Sequence, residues 1–303
     1  MITLIEVPQH FSPFFYAALE EWLVRNCDCF NTDYLLLYVN KDCAVVGKNQ
    51  CIYKELNFNY WFNESAKVVR RVSGGGTVFH DSGNLNFAFI SKFEEWKVNN
   101  YKHFNEPIRQ HLNLLQIPAQ FNARNDMVAN GKKISGNAQF TDRKNIISHG
   151  TLLVNSDLAK MSAALKHNSY QVETKAVSSV RSEVANISSF NNALTNVEDI
   201  RNELAEKLCI SSYSLNHTEI EEITQLQKEK YETLEWRFGR SPDCEIQTHT
   251  FSISIAAGIV SQVKYESPEF TFLEKIVGIP FFKDELLKNI SSSELEKMLE
   301  HLR

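Results

Sequence analysis

Arg70-Arg71-Val72-Ser73-Gly74-Gly75-Gly76-Thr77-Val78-Phe79-His80-Asp81 is the stretch on which the reading of this chain turns. Three of the 11 glycines fall together here. They lie between two runs of strand character, Val68 to Arg71 and Thr77 to Asp81. A glycine triplet costs conformational entropy, and a hairpin tip alone would account for it. A hairpin tip does not account for two arginines just before the triplet and a His-Asp pair just after it. Glycines let a ligand approach backbone N–H groups closely, and arginine clamps carboxylate or phosphate. The stretch therefore predicts an anion site. It is neither a P-loop nor a dinucleotide fingerprint, because no Gly-Lys-Ser/Thr closes it and the Gly-x-Gly-x-x-Gly spacing is absent.

Upstream, Ser12-Pro13 predicts a helix start, and Phe15, Ala18, Leu19, Trp22 and Leu23 share one helical face. Tyr34 to Val39 and Ala44 to Gly47 read as short buried strands. Downstream, Asn84 to Ile90 alternates Leu85, Phe87 and Phe89, which predicts a hairpin with Thr77–Asp81 around Ser82-Gly83. Tyr101 to Leu115 is helical in period, with Pro118 beyond it. Strands are expected at Asp126 to Ala129, Lys133 to Phe140 and Ile146 to Val154.

Beyond residue 155 the chain becomes more helical, with capping-box spacing at Thr195-x-x-Glu198 and Asn216-x-x-Glu219. After Phe238-Gly-Arg-Ser-Pro242 a strand pair turns at Gly258, and two helical stretches follow, the last from Ser291-x-x-Glu294. The expected organisation is a catalytic domain over residues 1–243 and a small C-terminal α+β module over 244–303.

Across 303 residues, 32 Lys and Arg face 37 Asp and Glu, a formal charge of −5. That balance argues against general phosphate-backbone binding, so no nucleic-acid role is expected. No run approaches the roughly 18 apolar residues of a membrane span. The N-terminal stretch has no cationic region before its apolar residues and places Glu6 among them, unlike a signal peptide. The six cysteines (27, 29, 43, 51, 209, 244) form no Cys-x-x-Cys, which fits reduced thiols in a cytoplasmic protein. Cys27 and Cys29 read as half of a metal site or, lacking a second pair, as packing.

Two further clusters carry chemistry. Arg124-Asn125-Asp126 precedes Lys132-Lys133-Ile134-Ser135-Gly136-Asn137-Ala138, where alternation places Lys133, Ser135 and Asn137 on one face. Either lysine fits a solvated strand edge equally well. Ser148-His149-Gly150-Thr151 brings polar groups to an apolar strand. Together they suggest an enzyme that handles a carboxylate and a nucleotide without a P-loop. Adenylation fits, since cations must offset two like charges in its transition state.

With these residues in view, the chain resembles the lipoate–protein ligases, in the superfamily that also holds biotin ligases and octanoyl transferases. The signature at 70–81 is complete. The chain is also similar to the family at Gly47-x-x-Gln50, Arg124-Asn125-Asp126, Lys133-Ile-Ser-Gly136-x-Ala138, His149-Gly-Thr-Leu-Leu153 and Ser179-Val-Arg181-Ser-x-Val-x-Asn186-Ile187. The resemblance implies an α+β fold of the class II aminoacyl-tRNA synthetase and biotin ligase type, with a mixed central sheet flanked by helices and a small C-terminal domain. It implies a monomer that activates lipoate with Mg-ATP to lipoyl-AMP. The lipoyl group then passes to a lysine on lipoyl domains of 2-oxoacid dehydrogenase E2 subunits or on the glycine-cleavage H protein.

The resemblance also implies roles for residues. Arg71, Ser73, Gly74, Gly75, Gly76 and His80 line the lipoate and adenylate site, with Ala17 and Tyr38 as walls of the acyl slot. ATP is met by Arg71, Gly76, Val78, Phe79, Asn125, Asp126, Lys133, Ala138, His149 and Thr151. Asp126 serves Mg²⁺, and Lys133 is the catalytic lysine between lipoate carboxylate and α-phosphate. Residues 175–182 resemble the loop that closes over the adenylate. This chain departs from the family at Tyr16-Ala17-Ala18-Leu19-Glu20-Glu21, at Phe140 and at Ala176. These departures bear on which acyl chain fits.

The rival within the superfamily is an octanoyl or lipoyl transferase between carrier proteins, which depends on a cysteine nucleophile. The segment from Val68 to Val154 holds no cysteine. A non-catalytic lipoate-binding module would have no need of both Asp126 and Lys133. Biotin-ligase loops do not look like residues 70–81.

Overall fold

The computed structural model describes residues 1–7, 11–63, 67–165 and 170–302. Its centre is a six-stranded mixed sheet in the order Asn137–Thr141, Asn145–Leu153, Asn84–Lys92, Asp33–Val39, Ile2–Glu6, Ser211–Ser214. The first three pairings are antiparallel and the last two parallel. Strand Asp33–Val39 shows why its sequence is a continuous apolar run. Leu36 and Tyr38 pack with helix Pro13–Asn26, while Leu35 and Leu37 pack with helices Tyr101–Leu114 and Val197–Leu208 on the other face. Both faces of the sheet are covered at this strand, so no polar alternation is required there.

Helix Pro13–Asn26 begins as expected, with the Ser12 hydroxyl accepting from Phe15 N–H at 3.2 Å and Pro13 in the first turn. The capping boxes at Asn216 and Ser291 are both formed. The box at Thr195 is not, because Asn196 caps that helix instead, accepting from Glu198 N–H at 3.0 Å.

Two expected strand arrangements are corrected. Residues 77–90 are not a hairpin. Val78–His80 pairs with Cys43–Val46, whereas Asn84–Lys92 belongs to the central sheet. Gly83 turns the corner between them, pressed so tightly against the Asn155 backbone that a Cβ would collide with it. The Lys133–Phe140 strand is likewise two strands, Lys132–Ser135 and Asn137–Thr141, in different sheets and broken at Gly136. The simple alternation of Lys133, Ser135 and Asn137 ends at that break.

The C-terminal module is an antiparallel sheet capped by helical turns, but its first strand is Gln171–Thr174, from the larger part of the chain. Its core is continuous with that part. Phe281 packs against Tyr53, Phe58 and Phe62, all buried.

Candidate active site

The glycine-rich stretch is shaped by its arginines. Arg71 donates from Nε to Ser73 Oγ at 2.9 Å, from Nη1 to Val45 O at 2.9 Å, and from Nη2 to Gly74 O and Gly76 O at 2.6 and 2.7 Å. Four of its five N–H groups are therefore committed inside the protein. Burial lowers its pKa to about 10, still far above neutrality. Arg70, wholly buried, donates to carbonyls of Gly47, Lys48, Gln50, Trp236 and Arg237 and to Ser241 Oγ. Through these bonds the pair holds the loop in shape; Arg70 lines neither of the two cavities beside the loop, whereas Arg71 lines one. Gly75 has φ +88° and faces Gly47 so closely that a Cβ at Gly47 would meet the Gly75 carbonyl.

Two adjoining cavities open beside this loop. The first, about 350 Å³, is lined by Ala17, Tyr38, Arg71, Gly75, Gly76, Val78, His80, Asp126, Lys133, Ala138, His149 and Thr151 among the expected residues. The second, about 310 Å³, is walled by apolar Val78, Phe79, Leu153, Leu158, Met161 and Leu165. Both volumes suit a small ligand. Lys133 lines both. Its ammonium lies 2.7 Å from Asp126 Oδ1 with a quarter of the side chain exposed. Lys132, by contrast, points to solvent and pairs with Glu183.

Ser73, Gly74 and Asn125 line neither cavity. Asn125 acts through the backbone: its φ of +62° turns the chain so that Asp126 faces the cavity, and Asn122 Oδ1 braces the turn from Arg124 N–H and Asp126 N–H. Ser73 belongs to a buried chain of hydrogen bonds. His149 Nε2 lies 2.7 Å from Ser73 Oγ, His149 Nδ1 lies 2.6 Å from Glu20 Oε2, and Tyr38 donates to Glu20 Oε1 at 3.0 Å. The connectivity imitates a nucleophilic triad, yet the serine is 1% exposed and turned away from both cavities. It orients His149 as a wall.

Sequence reasoning missed Glu20, the anchor of that wall, because a helical Glu pair gives no sign of which member meets the cavity: Glu20 lines it, whereas Glu21, equally buried, pairs with Lys230 and Tyr231. Burial, with Arg71 and His149 nearby, holds His80 neutral, its pKa lowered to about 3. Phe140 packs beside the first-helix core instead of lining the slot. Tyr16 stacks on Tyr38 with ring centroids 4.3 Å apart, behind the wall.

Asp126 lies between Lys133, Arg124 Nε at 3.9 Å and the Asn122 amide at 3.3 Å. Among the described residues no cluster of three or more His, Cys, Asp or Glu could hold a metal alone. The donor set fits a cation carried mainly by phosphate oxygens, with one protein carboxylate added. No described cysteine lines either cavity, and burial pushes the Cys27 and Cys29 thiols up to about 12. No described helix is long and apolar enough to cross a membrane.

The family model of the lipoyl protein ligase A/B catalytic domain matches residues 12–209. Lipoate-protein ligase LplJ of Bacillus subtilis (strain 168) is 41% identical over 232 residues, 74% of this chain and 70% of LplJ. A solved lipoate-protein ligase A bound with ATP is 25% identical with a TM-score of 0.66, over 78% of this chain and 97% of that one. LipL1 of P. falciparum in complex with lipoate has a TM-score of 0.61 at 20% identity, over 99% of this chain and 98% of that one. That last likeness is one of fold, and it extends through the C-terminal module.

Proposed function

The chain belongs to the lipoyl protein ligase A/B family, and on that premise we propose that it is an ATP-dependent lipoate–protein ligase. The observation that carries this reading is Lys133, whose ammonium lies on the seam of the two cavities. The acyl tail occupies the slot of Ala17, Tyr38, His80 and His149, and the nucleobase the apolar cavity along Phe79. Their reacting ends then meet at Lys133.

In the first step a lipoate carboxylate oxygen attacks the α-phosphorus of ATP, and pyrophosphate leaves. Two anions approach, and the ammonium offsets their repulsion more as charge builds in the transition state. Asp126 keeps that ammonium in place and would hold Mg²⁺ carried by the phosphates, which would spread their charge. In the second step the amino group of an acceptor-protein lysine attacks the lipoyl carbonyl and AMP leaves, with Lys133 facing the developing oxyanion. Lipoyl domains of E2 subunits and the glycine-cleavage H protein are the proposed acceptors.

Lipoate-dependent exchange of pyrophosphate into ATP tests the first step. Lys133→Ala is expected to lower it about a thousandfold, the usual scale for removing a transition-state charge partner. Normal exchange in that variant removes Lys133 from the mechanism. Transfer through a cysteine is disfavoured by the cysteine-free cavities.

A further inference from the structure

Residues 176–182 cross the region where the two cavities adjoin, and Ser178, Ser179 and Val180 line both. One end follows strand Gln171–Thr174. The other runs beside the catalytic lysine, where Lys133 N–H donates to Glu183 O at 2.8 Å and Ala185 N–H to Lys133 O at 3.0 Å. Apolar packing does little to hold the middle, since Val177 and Val180 are 73% and 69% exposed.

A polar clasp holds it instead. Ser179 N–H donates to Glu55 Oε1 at 3.1 Å, and Ser179 Oγ meets Glu55 Oε2, the Thr77 N–H at 2.9 Å and Gln50 Nε2 at 2.9 Å. The backbone N–H and the amide nitrogen can only donate, so they occupy both lone pairs of the hydroxyl. Its own proton therefore goes to the Glu55 carboxylate. Gln50 is fixed as well, because its Oε1 accepts from Gly47 N–H at 3.0 Å and Thr77 Oγ1 at 2.9 Å. The network is saturated in one arrangement only. Position 55 must supply two acceptors to one serine, which a carboxylate does and an amide does not. Glu55 is 9% exposed, at the end of the short helix Ile52–Glu55.

We propose that Glu55 is a positioning residue for adenylation: through Ser179 it holds residues 176–182 against Gly76-Thr77, completing the nucleotide site before ATP arrives. The inference rests on the ligase reading above. A site closed for only a fraction of the time binds its ligand more weakly by that fraction.

Glu55→Gln exchanges one acceptor for a donor at constant shape, and Ser179→Ala removes the hydroxyl from a half-buried loop residue. Each is expected to speed tryptic cleavage after Lys175 and Arg181 about tenfold, as for one lost charge-assisted hydrogen bond. In pyrophosphate exchange KM for ATP should rise about tenfold while kcat moves much less. The double variant should be no worse than the worse single one. Wild-type cleavage and wild-type KM in both variants overturn the proposal. Faster cleavage with an unchanged KM overturns it too, because the clasp is then purely structural. Should the unaltered protein catalyse no lipoate-dependent exchange at all, the ligase reading has failed, and the cleavage rates still report on the clasp itself.

Discussion

A Cβ built on Gly136 would stand 3.1 Å from both Cε and Nζ of Lys133. The obstructed group is the far end of a flexible side chain, so the fold can absorb Gly136→Ala by displacing the ammonium. Stability is expected to change by less than about 1 kcal/mol. Pyrophosphate exchange should fall by roughly one to two orders of magnitude, as misplacement of a reacting group does. Wild-type exchange in Gly136→Ala would mean that this glycine does not serve the lysine. At this scale the sequence is an uneven guide. Lys133 and Asp126, singled out by residue type, stand 2.7 Å apart and line the same cavity. Arg70 and Arg71 carry the same chemical label as anion clamps, yet they grip backbone carbonyls. Residue type states what a group can bind. Only the path of the surrounding chain states what it does bind.

Elements with local causes are the most legible. Helix Pro13–Asn26 and the capping boxes at Asn216 and Ser291 follow from neighbours a few positions away. The turn between strands Phe251–Ala256 and Ile259–Tyr265 is similarly local, but one residue in it is at odds with its backbone. Ala257 has φ +48° ahead of Gly258 at +77°, the two-residue turn that favours Asn-Gly. A left-handed alanine costs about 1 kcal/mol. Ala257→Asn is expected to recover about 0.5–1 kcal/mol of this, read as a melting temperature roughly 2 °C higher. A lower melting temperature would contradict the left-handed turn. Strand partners are legible only in part: nothing near Ser82-Gly83 tells that the flanking strands join different sheets.

For the whole molecule, the fused core sets the behaviour. Phe281 is 1% exposed and touches rings from residues 53–62, so the C-terminal module shares its interior with the larger part of the chain. Phe281→Ala is expected to cost about 3–5 kcal/mol. Urea unfolding should remain a single transition, by tryptophan fluorescence and by circular dichroism alike. A first phase confined to the C-terminal module would show it to fold apart. Residues 244–303 hold three of the module's strands and its helical turns, while strand Gln171–Thr174 completes the sheet from outside that range. By itself the sequence determined the family and the locally capped helices, because these depend on residue identity and short-range spacing. Tertiary structure alone decided the sheet partners, the Glu20–His149 contact, the looping arginines and the Glu55–Ser179 clasp. Those depend on which distant segments meet once both faces of the central sheet are buried, and spacing along one chain does not encode that meeting.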